Sequence, residues 1–391
     1  MIQRNEIPTF RPTWATVDLD ALRYNFGLLR RSLPSGTEIM VMIKADAYGH
    51  GALPVAKVLE NDGARAFGVA TVEEGLELRK NGIKKQILVM GGLLGAGAPA
   101  SKVMVECDLT PVIHSHGVIA PLEDNAKEFG KKIPVHLKID TGMSRLGVRP
   151  ESLDSVLSRL ASSQNLYLEG VMTHFMDADD GPLSREQFDI FLQCKQRIEA
   201  SVGRVKIWHM ANSQGITNSR GVEIPGADEV WVRPGLTLFG GMDDASFSSD
   251  RLLPVMGLAS RVVLLKHVPE GARVSYSGIF VTQRKTRLAI VPIGYADGYP
   301  WALTGKASVL IRGVRAPVVG RVTMDMTIVD VTDIEGVEIH DEVVLMGSQG
   351  SDCISMNDLA RWAETIPYEI LCGISKRMPR VYSGENPCKE L

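Results

Sequence analysis

For its first 240 residues or so the chain alternates short β-rich apolar runs with amphipathic helical segments, and this alternation leaves few folds open. Strand then helix, repeated, is the pattern of a parallel sheet whose strands are joined by crossover helices. In DLDALRYNFGLLRRSL the residues Leu19, Leu22, Phe26, Leu29 and Leu33 recur at steps of three and four behind Asp18 as helix cap, so one apolar stripe faces a core. Thr71 and Glu74 have the spacing of a capping box at the head of another helix. Nine runs read as strands: WATVD, TEIMVMIK, ARAFGVA, KQILVM, DLTPVI, IPVHLKI, LYLEGVMTH, VKIWHM and DEVWV. A (β/α)8 barrel of the TIM type has places for eight, so one of the nine is expected to lie elsewhere.

Beyond about residue 245 the texture changes to short strands separated by Gly, Pro and Asp turns, with SMNDLARWAETI as the one helical run, capped by Ser355 or Asn357. The expected fold is therefore α/β, an N-terminal barrel over 12–244 followed by a mostly β domain over 245–391, with residues 1–11 packing on the latter. A length of 391 residues suits two domains.

Forty-three Lys and Arg against 46 Asp and Glu give a net charge of −3, which argues against nucleic acid or an anionic membrane as partner. A small molecule is the expected partner. Five cysteines, at 107, 194, 353, 372 and 388, form no C-x-x-C pair, and neither a disulfide framework nor a thiolate zinc site is expected. His114 and His116 resemble a metal pair only loosely, and no metal is expected. The N-terminus carries Arg4 and Glu6 without an apolar h-region, and the longest uncharged apolar run, 87–100, is too short to span a bilayer. These features together point to the cytosol.

In such a barrel, chemistry collects at the C-terminal ends of the strands. Here those ends carry Lys44, Lys138, Asp140, His174, His209, Asn212, Ser213 and Arg233. Any one of them has a bland reading, a solvated cation or a structural histidine; repetition at five strand ends weakens it. Lys44 follows the apolar run IMVMI and precedes ADAYGHG. A desolvated lysine has a lowered pKa and becomes a nucleophilic amine, the requirement for a Schiff base with an aldehyde cofactor. A phosphate on that cofactor would find donors at Asn212-Ser213 and Arg233-Pro234-Gly235. Arg145 stands beyond a strand, where it could hold a carboxylate or oxyanion. Tyr276, read from its surroundings alone, is an ordinary strand tyrosine. No phosphate-binding glycine motif is complete, so nucleotide binding is not expected.

The chain resembles the bacterial alanine racemase family through motifs collinear over essentially its whole length: KADAYGHG at 44–51, KIDTGMSRLG at 138–147, THF at 173–175, ANS at 211–213, VRPG at 232–235, VSYSG at 274–278, IGYADG at 293–298, GRVTMD at 320–325 and IPYE at 366–369. The resemblance implies pyridoxal 5'-phosphate as cofactor and a homodimer with shared active sites. It implies that Lys44 carries the cofactor and acts as one base, with Tyr276 of the partner subunit as the other. Tyr48, Ser213, Gly235, Leu236 and Tyr368 would hold the phosphate, with Asn212 beside them. Arg233 would face the pyridine nitrogen, supported by His209, and His174 would orient Tyr276. Arg145 and Met324 would receive the substrate carboxylate, Tyr295 and Tyr368 would narrow the entrance, and Lys138 is a candidate for carbamylation.

Racemisation removes a proton from one face of Cα and returns it on the other, so two bases serve both directions. A phenol ionises near pH 10 and is a poor base unless cations favour its phenolate, which Arg233 could do through His174. The sequence departs from the family pattern at Met176, Ser277 and Thr323. If position 277 needs a positive φ, serine there is strained by roughly 1 to 2 kcal/mol. The same machinery with a wider entrance would be a broad-specificity racemase acting on serine, lysine or arginine. A decarboxylase of the ornithine type would call for an acid in the place of Arg233, and a cofactor carrier would not need the second domain.

Overall fold

The structure, a computed structural model, describes residues 10–242 and 250–384. Eight parallel strands close into a barrel: β2 (Thr37–Met42), β3 (Ala66–Val69), β4 (Gln86–Val89), β5 (Thr110–Ile113), β6 (Ile133–Lys138), β7 (Leu166–Met172), β8 (Ile207–Asn212) and β9 (Glu229–Arg233). Closure is made by β2 on β9, with Thr37 beside Val230. The α/β barrel followed by a mostly β domain is thus the observed architecture.

The ninth candidate is β1 (Thr13–Asp18), which lies outside the barrel. It runs antiparallel to β10 (Met256–Arg261) and parallel to the last described strand, Arg380–Ser383, at the edge of a seven-stranded sheet. Its burial alternates inward and outward along Ala15, Thr16, Val17 and Asp18, the mark of a sheet with one wet face, whereas β3 and β5 are buried throughout as barrel strands under helices are. The expected boundary at 244/245 and residues 1–9 lie outside the described residues; Arg11 donates two hydrogen bonds to buried Asp297, at 2.7 and 2.8 Å.

Local signals decide the helices. Asp18 caps Leu19–Ser32 by accepting from the amides of Asp20 and Ala21, and Leu19, Leu22, Phe26 and Leu29 are buried. Thr71 and Glu74 form the capping box of Val72–Lys80, and Ser355, rather than Asn357, caps Met356–Ala363 through Asp358. One continuous core runs from the barrel into the β domain. Among the described residues no helix is long and apolar enough to cross a membrane.

Two register shifts break the barrel's regularity. Val135 stands opposite Leu168 but His136 opposite Gly170, leaving Glu169 as an extra residue in β7. His209 stands opposite Trp231 and Asn212 opposite Arg233, so β8 also carries one residue more than its neighbour. Such bulges re-aim side chains at the rim and interior of a barrel.

Candidate active site

Lys44 leaves the end of β2 into a turn of unusual hand. Ala45, Asp46 and Ala47 have φ and ψ near +50°, and Tyr48 follows with φ of 54°. A left-handed run costs about 1–2 kcal/mol per residue for side chains with a Cβ, so surrounding contacts must hold it. Glu74 does so from the barrel side, its carboxylate accepting from the amides of Ala45 and Ala70, each at 2.7 Å. Asp46 accepts from the amide of Ala52 at 2.7 Å. The β domain grips the far end, with Arg380 donating to the carbonyl of Gly49 at 3.1 Å and the Tyr382 hydroxyl to that of His50 at 3.0 Å. Gly49 itself is required, because a Cβ there would stand 2.4 Å from the carbonyl oxygen of Leu371.

Beside this turn a cavity of about 390 Å³ opens at the C-terminal ends of the strands. Its lining includes the cations and imidazole of Lys44, Lys138, Arg145, His174 and Arg233, and the polar groups of Tyr48, Asn212, Ser213, Gly235 and Tyr368. Burial, helped by the positive charge of Arg145, lowers the pKa of Lys44. Burial and then the Arg233 and Arg145 cations bring Lys138 down to about 8. Among the described residues no protein acceptor faces the exposed Arg145 guanidinium, which leaves it open to an anion.

Arg233 is 2% exposed and has its donors directed by the strands around it. One terminal nitrogen donates to the carbonyls of Thr173 at 2.7 Å and Met210 at 2.9 Å and to His174 Nδ1 at 3.1 Å; the other donates to His209 Nδ1 at 3.2 Å. Burial lowers its pKa to about 9, above neutral pH, so it remains a cation. Burial and then the charge of Arg233 hold both His174 and His209 well below the usual imidazole range, so both are neutral acceptors. At the other end of the cavity the Ser213 hydroxyl accepts from the amide of Gly235 at 2.9 Å, with Thr237 beside it. A Cβ on Gly235 would lie 2.4 Å from the Tyr48 hydroxyl, so only glycine lets that oxygen approach the backbone. Tyr48 and Tyr368 pack ring to ring at 5.8 Å. Hydroxyls, a tight glycine turn and an amine of lowered pKa fit a phosphorylated aldehyde, with a guanidinium at the base and a second one free at the rim.

Leu236 is buried immediately beyond Gly235 and is not part of the cavity wall. Tyr276, Tyr295 and Met324 stand apart from it, on the β domain, with exposures of 70%, 44% and 51%. Tyr276 sits between two serines of positive φ, Ser275 at 62° and Ser277 at 60°, so the strain expected at 277 is present. The loops of Tyr295 and Met324 are joined, since the amide of Tyr295 donates to Thr323 at 3.0 Å and that of Ala296 to Met324 at 3.1 Å. Exposed Met176 anchors its amide on Gln187 at 2.9 Å. Of the histidines 114 and 116, His114 bonds the carbonyl of Gly91 at 2.8 Å.

Sequence reasoning missed two supporting residues. Glu74 reads as a helix cap and also clamps the turn after Lys44, a contact across 29 positions that no local pattern carries. Gln187, from the long helix Gly181–Val202, is 1% exposed and donates to Thr141 and to the carbonyl of His174, both at 3.1 Å. Its only signal is a polar residue on the inner face of that helix.

A closed α/β barrel with a lysine of lowered pKa in a cavity at its strand ends, and a β domain gripping the turn beyond it, defines the class of two-domain α/β-barrel proteins. Residues 17–243 match the family model described as alanine racemase, N-terminal domain, and residues 255–382 that of alanine racemase, C-terminal domain. The chain is 41% identical to the alanine racemase of Halothermothrix orenii over 380 residues, 96% of this chain and 98% of that one. It is 40% identical to that of Geobacter sulfurreducens over 379 residues, 95% and 97% of the two chains. Among solved structures, alanine racemase from Clostridium difficile superposes with a TM-score of 0.88 at 34% identity, covering 97% of each chain. The alanine racemase of Bacillus anthracis, solved with bound L-Ala-P, gives 0.87 at 32% identity and the same coverage. The chain belongs to the alanine racemase family and is an enzyme of that kind.

Proposed function

We propose that the chain interconverts L-alanine and D-alanine with pyridoxal 5'-phosphate, using Lys44 and Tyr276 of the partner subunit as bases on opposite faces of Cα, and supplies D-alanine for peptidoglycan. The observation that carries this reading is the Lys44 cavity itself, an amine of lowered pKa between a buried guanidinium and a hydroxyl cradle. Lys44 would hold the cofactor through its amine, Tyr48, Ser213, Gly235, the backbone amide of Leu236 and Tyr368 would hold its phosphate with Asn212 alongside, and Arg233 would face its ring nitrogen. When bound, the cofactor supplies an electron sink that acidifies the substrate's Cα proton.

Lys44 takes or returns that proton on its own face, and Tyr276 of the partner subunit serves the other. Arg145, which has no protein acceptor among the described residues, orients the substrate carboxylate together with the Met324 backbone, while Tyr295 and Tyr368 narrow the entrance. His174 accepts from Arg233 at Nδ1 and therefore offers Nε2–H outward, which suits a phenolate partner. Arg233 keeps its proton, so the ring nitrogen it faces stays unprotonated and the sink weak; Arg233→Glu is expected to raise transamination products. Lys138, with a pKa of about 8, is partly neutral at pH 7, and addition of CO2 to its Nζ with loss of a proton would place an anion among Arg145, Arg233 and Lys44. Electron density at Nζ checks it.

Homodimerisation is supported by the large apolar side chains that the β domain leaves exposed, Tyr276, Ile279, Trp301, Met324, Met326 and Ile366 among them. Unpaired Cys107, Cys194, Cys353 and Cys372 suit a reducing cytosol; Cys388 lies outside the described residues. The test is incubation of the cofactor-loaded protein with L-alanine in D2O, followed by proton NMR and chiral analysis. Loss of the Cα proton with accumulation of D-alanine is expected; exchange without inversion would remove Tyr276 from its role, and faster turnover of serine, lysine or arginine would make the enzyme a broad-specificity racemase.

A further inference from the structure

Six consecutive barrel strands each contribute one side chain to a single hydrogen-bonded chain inside the barrel. From β9, Arg233 donates to His209 Nδ1 at 3.2 Å; His209 Nε2 lies 2.9 Å from His136 Nδ1; His136 Nε2 lies 3.4 Å from the Glu169 carboxylate; and Gln86 donates to that carboxylate at 2.6 Å and to the Thr110 hydroxyl at 3.2 Å. The chain starts at the cavity and ends where Glu169 is 17% exposed. Trp231, fully buried, packs against both imidazoles at 5.7 and 6.0 Å.

The backbone is shaped for this chain. Glu169 is the extra residue of the β7 bulge, and the β8 bulge leaves the carbonyl of Met210 free to accept from Arg233. Gly170 leaves room for the His136 ring, since a Cβ there would stand 2.5 Å from it. Direction follows from chemistry. A guanidinium only donates, so His209 must accept at Nδ1 and carry its proton on Nε2. His136 must then accept at Nδ1 and donate from Nε2, which requires an acceptor at the far end, and an ionised carboxylate only accepts.

We propose that Glu169 is a remote positioning residue for Arg233: its carboxylate fixes the Nε2–H tautomer of His136 and, through it, of His209, so that Arg233 always meets a lone pair and never an opposing N–H. The idea rests on the reading that Arg233 faces the cofactor. Burial keeps His136 and His209 neutral, and hydrogen bonds from His136 and Gln86 help hold Glu169 ionised; Lys206 and Tyr167 are the other titratable groups that face it. Without the carboxylate the chain can run in either direction, and one of the two sets two donors against each other at Arg233.

The test is long-range 15N–1H NMR of histidine-labelled holoenzyme at pH 7, which reads the tautomer of each ring. In the wild type both His136 and His209 are expected as Nε2–H; an Nδ1–H or doubly protonated ring at either position overturns the proposal without any variant. In E169Q, whose amide can donate as well as accept, His136 is expected to shift toward Nδ1–H. With cofactor occupancy and Tm monitored, kcat is expected to fall by about ten- to a hundredfold while KM changes less than about twofold. E169D, which keeps the charge, is expected to retain the wild-type tautomers and most of the turnover. Unchanged tautomers or unchanged kcat in E169Q overturns the idea. Absence of Cα exchange in the wild type would instead sink the racemase reading and leave the tautomer result standing.

Discussion

The two proposed bases sit in opposite kinds of surroundings. Lys44 lies at the end of a barrel strand, in a cavity lined by its own chain, and the left-handed turn behind it is gripped by Glu74, Asp46, Arg380 and Tyr382. Tyr276 is 70% exposed on the β domain, with a strained serine on either side and no wall around it. Both regions contain positive-φ residues, but four side chains hold the first, whereas beside Tyr276 the Ser275 hydroxyl donates to the carbonyl of Arg321 at 2.8 Å. The contrast suits the proposal of a site whose barrel half is preorganised by its own chain and whose tyrosine half comes from a second copy.

The sharpest way to break this contrast is to mix variants. Lys44→Ala and Tyr276→Phe are each expected to lower kcat by about 10²–10⁴-fold. If sites are shared across a two-fold dimer, random reassociation of the two variants should restore about a quarter of the wild-type activity, because half the dimers are mixed and each mixed dimer has one intact site. No recovery on mixing would place both residues in one chain.

Next comes the charge inside the cavity. Lys138 ionises at about 8 in the folded protein and near 10.4 when unfolded. The unfolded chain therefore binds more protons between those values, and stability of the cofactor-free protein should rise as pH rises from about 8 to 10.4, by about 3 kcal/mol. Lys138→Met should flatten most of that rise in CO2-free denaturation curves, and an unchanged slope would assign it to another group.

Smaller effects probe the two strained segments. Glu74→Ala removes the acceptor of two short backbone bonds and should cost about 2–3 kcal/mol by denaturant titration, with loss of cofactor affinity if the turn relaxes. Ser277→Gly relieves about 1–2 kcal/mol of strain against about 0.5–1 kcal/mol of unfolded-chain entropy, so a net gain of about 0.5–1 kcal/mol is expected. A loss of stability there would mean that the serine side chain has a partner in the assembled enzyme.

Most of the architecture is legible in the residues because it depends on periodicity, which is local. Leu19 to Leu29 face the core as their spacing demands, and the polar strand ends at Lys44, Lys138, His174 and Arg233 converge on one cavity because a barrel brings strand ends together. WATVD shows the limit: it reads correctly as a strand, but which sheet takes it depends on partners at 256–261 and 380–383. The same holds for the left-handed turn. Ala45, Asp46 and Ala47 are ordinary residues with no local preference for positive φ strong enough to announce it, and the conformation exists through contacts from Glu74 and Arg380. His136 and Glu169 are visible only as polar residues in strand runs. The bulge that turns Glu169 out of register has no sequence mark beyond the adjacent Gly170.

The place of β1 also orders the chain's assembly in time. During synthesis β1 emerges before the sheet it joins, because its neighbours are β10 and the strand at Arg380–Ser383. All eight barrel strands are made in between and can close on one another before the ribosome reaches the last partner. The Arg380 and Tyr382 grip on the turn after Lys44 forms only when the strand at Arg380–Ser383 is released. A nascent chain halted before residue 380 would thus carry a closed barrel whose turn after Lys44 is not yet gripped from the β domain, so that turn is set only once translation has passed residue 382.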